Sequence, residues 1–351
     1  MVGARRLLSI AAGMVMLMAG MGTAQVADKD GTFTLHVYTN LIQIPTLVLS
    51  RLRTPLPPIA EGRFYVSLDG GPQFKATHVR VQGEDPISLG ILLDVNGEAA
   101  KLMPGIEKAI AGLVPGSLTG KDRVSIYGLD CGLVRTARGV PAESGALTRA
   151  VEAALKPWAE RKAQKNGKCR ETVHLWDALA MMTQEMQQAP GRRVILALTD
   201  GSGEGSKWTW NQTREFAQGA GVAVFALNYS AVDYAAASVG MMRHEDGLKA
   251  VCELSGGMVL HTVHANAGKD MANFVALVRG RYIVEFPRPR NEEAGTHSME
   301  VTIAKMAAFI RPAGASMALM DPAIANDPNT VKGDESTLPV MGTRRVAPKG
   351  R

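Results

Sequence analysis

The chain has 351 residues, 46% of them hydrophobic and 21% charged, with a formal net charge of +6. That composition suits a folded protein with a sizeable core and excludes disordered or fibrous classes. Part of the positive excess sits at the two ends, in Arg5, Arg6, Arg344, Arg345, Lys349 and Arg351, and no basic helix interleaved with aromatics occurs, so no nucleic-acid partner is expected.

Arg5 and Arg6 precede an apolar run of 16 residues, Leu7 to Gly22, which ends in Thr23-Ala24 before polar residues from Gln25. A membrane-spanning helix needs ~20 apolar residues. The pattern therefore predicts a signal peptide over 1–24, cleaved between Ala24 and Gln25. No Cys stands at the cleavage point, so a lipid anchor is not expected. No later apolar run is long enough to cross a bilayer. The mature chain is expected in the periplasm or the medium, not spanning a membrane.

Residues 31–82 read as β structure. TFTLHVYT alternates, LIQIPTLVLS is apolar and β-branched, and RFYVSLDGGPQFKATHVRV carries a hairpin signal at Asp69-Gly70-Gly71. From Pro86 the pattern changes. ISLGILLD is a continuous apolar run, as for a strand buried on both faces. Residues 99–114 carry Leu102, Ile106, Ile110 and Leu113 at helical spacing. DRVSIYGLD and LVRTA are strands joined by a tight turn, so the second runs antiparallel at a sheet edge. Helices follow at ALTRAVEAALKPW, with Pro157 near its end, and at VHLWDALAMMTQEMQQ. Then come the strand RRVILALTD, the loop DGSGEGS, the helix WNQTREFAQGAG, the strand VAVFALNYS, the helix DGLKAVCELSGG, the strand MVLHTV and the helix KDMANFVALVRG. This alternation over 86–280 predicts an α/β domain with a doubly wound, mostly parallel sheet and one antiparallel edge strand. YIVEFPRP and HSMEVTIAKM return to β. The segment 281–311 is expected to form a hairpin that pairs with 31–82 in a small β-sandwich, because lone hairpins are marginal. The tail 313–351 shows no periodicity and is expected to be disordered.

Three cysteines are present. Cys131 lies at the turn before the antiparallel strand. Cys169 lies in the loop before the LWDAL helix, whose start faces the same edge. A Cys131–Cys169 disulfide is expected in an oxidising compartment, with Cys252 buried and free.

Asp94, Asn96 and Glu98 follow the first buried strand at spacings of two, and Asp200 ends the strand RRVILALTD. In an open α/β sheet the carboxyl ends of adjacent strands form the ligand crevice. Two carboxylates facing each other there suit a hard divalent cation. The loop DGSGEGS lacks the Lys-Ser/Thr of a phosphate-binding loop. No nucleophile elbow or Cys/His/Asn signature occurs.

The succession DPISLGILLD, GKDRVSIYGLD, LWDALAMM, RRVILALTDG and LSGGMVL resembles the von Willebrand A fold. More narrowly, it resembles the VWFA-related exported bacterial proteins abundant in acidobacteria, over about Thr32 to Arg311. That family's metal site is an Asp-x-Ser-x-Ser loop, a Thr on a second loop and an Asp after the fourth strand. The aspartates fall on Asp94 and Asp200. The serines fall on Asn96 and Glu98. The Thr position is Val173, with Thr172 one residue early. The resemblance thus implies an altered, degenerate adhesion-type metal site formed by Asp94, Asn96, Glu98, Thr172 and Asp200, holding Mg²⁺ or Mn²⁺ weakly or no metal. Glu98 is expected to face inward as a stand-in for a partner's carboxylate; its other reading is a first-turn helix residue. The implied function is an exported binding or scaffold protein, not an enzyme, that takes a protein or cell-surface ligand at the top of the sheet. The rivals are a Mg²⁺-dependent hydrolase or phosphoryl-transfer enzyme using the same carboxylates, and a structural envelope protein with a vestigial site.

Overall fold

The computed structural model describes residues 41–164, 169, 172–229, 244–290, 295–314, 316–317 and 335–343. The expected signal peptide, its cleavage site and the strand over 32–39 lie outside the described residues.

The chain opens with β1 (Leu41–Leu49), β2 (Phe64–Leu68), β3 (Phe74–Lys75) and β4 (His78–Val81). The α/β unit follows with β5 (Ile87–Asp94), α1 (Ile106–Ala111), β6 (Arg123–Leu129), β7 (Leu133–Pro141) and α2 (Ser144–Ala163). It continues with α3 (Leu175–Met186), β8 (Arg192–Thr199), α4 (Trp210–Gly219) and β9 (Ala223–Tyr229). It ends with α5 (His244–Ser255), β10 (Val259–Thr262) and α6 (Ala267–Arg279). The chain then returns to β structure in β11 (Tyr282–Pro287), β12 (Gly295–Thr296), β13 (Met299–Ile303), β14 (Phe309–Pro312) and β15 (Ser316–Met317).

The six-stranded sheet has the order β10-β9-β8-β5-β6-β7. All its pairs are parallel except β6 with β7. β5 is buried at every position, as its unbroken apolar run requires. One face packs on α1, α2 and α6 through Leu89, Ile91, Ile110, Val151 and Phe274. The other packs on α3, α4 and α5 through Leu92, Ile195, Leu179, Ala217 and Val251. This is the doubly wound architecture.

The flanking segments form two further sheets, β14-β1-β11-β4 and β13-β2-β3. They close over a shared core containing Ile44, Phe64, Val66, Val284, Phe286 and Val301. Their two-residue alternation lets β1 serve both units. Ile44 and Val48 enter the sandwich core, while Leu47 and Leu49 enter the α/β core. Arg53 and Arg311 clamp Glu253 of α5 at 2.7 and 2.6 Å across the seam.

Several expectations need correction. The hairpin run 63–81 holds three strands divided between two sheets, because β4 leaves its neighbours to pair with β11. The helix expected over 99–114 is a 3-10 turn, Gly97–Leu102, followed by the short α1, with Gly105 at φ 72° between them. α2 runs past Pro157 to Ala163, where Arg161 holds Asp130 through a forked ion pair. The tail is ordered where it finds apolar surface: Met341 joins the sandwich core, and Gly342 donates its N–H to the Leu68 carbonyl at 3.0 Å.

Cys131 and Cys169 form a disulfide closing 38 residues of chain. Cys252 is free and buried on α5, and burial pushes its thiol well above the ordinary range.

Candidate functional site

β5 and β8 lie side by side and parallel, so the loops after them leave the same end of the sheet. Asp94 closes β5 at 2% exposure. Its Oδ1 accepts the backbone N–H and side-chain Nδ2 of Asn96 at 3.1 and 2.9 Å. Its Oδ2 accepts the Thr199 hydroxyl at 2.7 Å. Thr199 Oγ1 in turn accepts the Gly201 N–H at 3.1 Å. Burial pushes the Asp94 carboxyl up to about 6, and the charge of nearby Asp200 adds to the rise against the pull of the Thr199 and Asn96 hydrogen bonds.

Asp200 is half-buried. Its Oδ2 accepts the Glu98 backbone N–H at 2.9 Å, and its Oδ1 accepts the Ser202 N–H at 2.9 Å. The carboxylate thus sits at the start of the Gly97–Leu102 turn and ties the two loops together. Gly97 is required for this approach. It has φ 53°, and a Cβ there would lie 2.0 Å from Asp200 Oδ2.

Glu98 does not face inward. Its side chain is 59% exposed and pairs with Lys101, three residues on. The 3-10 turn carries it outward and leaves only its N–H in the crevice. The first-turn reading, not the stand-in for a partner's carboxylate, describes it. Thr172 is exposed, and its hydroxyl bonds His174 Nε2 at 2.8 Å. Val173 is half-buried against the α3 side of the core, and its N–H donates to the Cys131 carbonyl at 3.0 Å. The structure therefore brings Asp94, Asn96 and Asp200 to the crevice, with Glu98 contributing its backbone N–H, and bonds Thr172 to His174.

These donors do not fit a tightly held cation. Every oxygen of the two carboxylates already accepts a hydrogen bond, and the neutral hydroxyls of the family pattern are replaced. Among the described residues, no third carboxylate or His ligand closes with Asp94 and Asp200; the only cluster of that kind is Asp130 with the disulfide cysteines.

Sequence reading missed several residues here. Thr199, immediately before Asp200, links the two loops. Asn228, at the same level on β9, is fully buried, and its Nδ2 has no partner among the described residues. Asp177 accepts the N–H groups of Lys207 and Trp208 at 3.1 and 2.9 Å and fixes the loop after β8. Gly203 rests on the Trp176 indole, so this loop is packed down on α3. Beyond it, Trp208 and Trp210 are 38% and 42% exposed. The sequence signal for them was a pair of tryptophans straddling the helix-capping Thr209.

No protein-family model matches the sequence, and no curated protein matches it. Solved structures do. BatB, a conserved hypothetical protein from Bacteroides thetaiotaomicron, is 13% identical over 55% of this chain and 98% of its own, with a TM-score of 0.38. The vWF domain of the type V pili tip protein Mfa5 from Porphyromonas gingivalis is 10% identical over 55% of this chain and 96% of its own, with a TM-score of 0.38. A von Willebrand factor type A protein from Catenulispora acidiphila is 13% identical over 70% of this chain and 51% of its own, with a TM-score of 0.40. Likeness this distant adds nothing about function. Among the described residues, no helix is long and apolar enough to cross a membrane. The doubly wound, mostly parallel sheet of the α/β unit and its antiparallel edge strand are those that the resemblance to the von Willebrand A fold implies.

Proposed function

We propose that this chain is an exported binding or scaffold protein that engages a protein or cell-surface ligand at the carboxyl end of its α/β sheet. The observation that carries this reading is the rigid rim there. Asp200 pins the loop after β5, Asp177 pins the loop after β8, and two exposed tryptophans stand where that loop enters α4, Trp208 at its end and Trp210 as the first residue of the helix. Large aromatic side chains on preorganised loops lose little entropy on binding and are the usual energetic anchors of interfaces. Catalysis is disfavoured because the crevice carboxylates serve as acceptors for loop N–H and O–H groups. A divalent ion is not needed in this reading, and any Mg²⁺ or Mn²⁺ is held weakly.

The test uses the purified mature chain with a photo-crosslinking group at Trp208, and a control with the group at exposed Leu52 on the opposite side of the sandwich seam. Incubated with the envelope fraction of the source cells, the Trp208 probe should give a discrete adduct that Trp210→Ala suppresses. Equal labelling from both positions, or an adduct indifferent to Trp210→Ala, would rule out the top of the sheet as the binding face. Titration calorimetry with Mg²⁺ and Mn²⁺ on wild type and Asp94→Ala decides the metal question in the same samples.

A further inference from the structure

At the other end of the sheet, a cavity of about 440 Å³ opens where α6 hands over to β11. Its walls include Arg192 and Arg193 at the start of β8, Gln43 of β1, and Arg281, the residue between α6 and β11. Arg281 is 1% exposed. Its Nε donates to Gln82 Oε1 at 3.1 Å and to the Val278 carbonyl at 3.3 Å. Its Nη1 and Nη2 have no partner among the described residues, and neither does the Nε2 of buried Gln82. The Gln82 amide cannot be turned to mend this, because Arg281 Nε needs its oxygen. The orphans are thus all N–H donors, on one buried guanidinium and the amide it bonds, each with almost no surface open to solvent.

A buried donor without an acceptor costs several times what a made hydrogen bond gains, most of all when it is charged. Native proteins almost always supply the partner, as protein, water or ion. Here the described residues do not. The neighbourhood is also cationic. Among the described residues, Arg80, Arg192, Arg193 and Arg281 have Asp85 and Glu285 as their carboxylate neighbours, four positive charges against two negative, a surplus of two. Burial pushes the Arg281 guanidinium down to about 9, with the charge of Arg192 adding to it. Arg193 has no carboxylate partner among the described residues; its Nη1 donates to the Gln187 carbonyl at 2.8 Å. The space exceeds the ~30 Å³ of a single water many times over.

We propose that this cavity is a binding site for a phosphate-class dianion, held in a fork by Arg281 Nη1 and Nη2 and flanked by Arg192 and Arg193. Guanidinium presents paired parallel donors that match two oxygens of such a group. Two negative charges balance the surplus. The long side chains of Arg192 and Arg193, on the same wall, are the ones that swing to admit it. The group arrives either as free phosphate or as a phosphate monoester.

The experiment is a thermal melt and a calorimetric titration of the full purified chain with inorganic phosphate, with glycerol phosphate, and with acetate, at matched ionic strength. Phosphate should raise the melting temperature and bind at one site; acetate should do neither. Arg281→Met, which removes the orphan donors and suits a buried position, should melt at least as high as wild type without phosphate and lose the response. Arg193→Gln, on the wall and less critical to packing, should fold normally and bind phosphate about tenfold more weakly, as the loss of a charged contact implies. Equal binding of glycerol phosphate identifies an ester group as the ligand, and its exclusion identifies the free ion. Equal response to phosphate and acetate, no response to either, or an undiminished response in Arg281→Met overturns the proposal.

Discussion

Asp94 offers the sharpest perturbation, because its cost to the fold is set by pH. Its carboxyl is held at about 6 in the folded chain against 3.8 when free. The folded value is the higher one, so the native state binds the proton more tightly than the unfolded chain. Below about pH 4 both states are protonated and Asp94 costs nothing; the penalty grows through the window and is complete above about pH 6. At about 1.36 kcal/mol per pH unit the full penalty is about 3 kcal/mol. Asp94→Asn removes it. The amide oxygen keeps the Asn96 contacts, while its NH₂ meets the Thr199 hydroxyl, which must rotate to accept and loses its own acceptor, a cost of about 1 kcal/mol. The variant should therefore be about 1 kcal/mol less stable than wild type near pH 4 and about 2 kcal/mol more stable near pH 7. Urea denaturation of both proteins at closely spaced pH values measures this, and the difference between them cancels every other titrating group. A difference that stays flat across the window refutes a buried, charge-strained Asp94. Excess Mg²⁺ adds a second reading: an ion held at the crevice keeps Asp94 ionised and flattens the wild-type profile.

Gly97→Ala places a methyl against Asp200 and a side chain at positive φ, so it should cost about 3–5 kcal/mol from backbone strain plus the lost Glu98 N–H contact; a melting temperature within error of wild type would remove Asp200 from its role as loop tie. Glu98→Ala should leave the melting temperature unchanged, since its exposed pair with Lys101 is screened by water, and a large loss would return Glu98 to the interior. Reducing the Cys131–Cys169 bond frees a 38-residue loop and should cost about 3–4 kcal/mol on the chain-entropy model; calorimetry with and without reductant, alongside peptide mapping, checks both the pairing and its size.

The sheet was legible because its strands carry an unmistakable physical mark. β5 is buried at every position, and β8 runs unbroken and apolar from Val194 to Leu198, which only a strand covered on both faces tolerates. The break in the helix after β5 was written in Met103-Pro104-Gly105, but the flanking Leu102, Ile106 and Ile110 keep helical spacing across it, and that spacing dominated the reading. The orientation of Glu98 was not legible. It depends on whether the turn after Gly97 is an α or a 3-10 turn, a choice fixed by the Asp200 carboxylate more than a hundred residues away. Arg281 was invisible for the same reason. Gln82, Arg192 and Arg281 share no motif and meet only where the sandwich joins the α/β unit.

On the proposed reading, the crevice also sets the charge of the partner it would accept. The N–H and O–H donors of the two loops are directed at Asp94 and Asp200, so the site has few left to offer. What it presents outward is the half-buried Asp200 carboxylate and the indoles of Trp208 and Trp210. An acidic group arriving without a cation meets Asp200 with Asp94 buried behind it, and like charges juxtaposed at an interface cost several kcal/mol. A basic or neutral group meets acceptors and an aromatic face, where a cation is held favourably. A bound divalent ion reverses that order, since it neutralises the carboxylates and offers an open position to an acidic ligand. Matched acidic and basic peptides, titrated with and without Mg²⁺, therefore read the state of the site directly. The geometry predicts preference for the basic peptide that Mg²⁺ leaves unchanged and that Asp200→Asn weakens. Metal-dependent preference for the acidic peptide would mean that the hydrogen bonds closing this crevice give way to an ion.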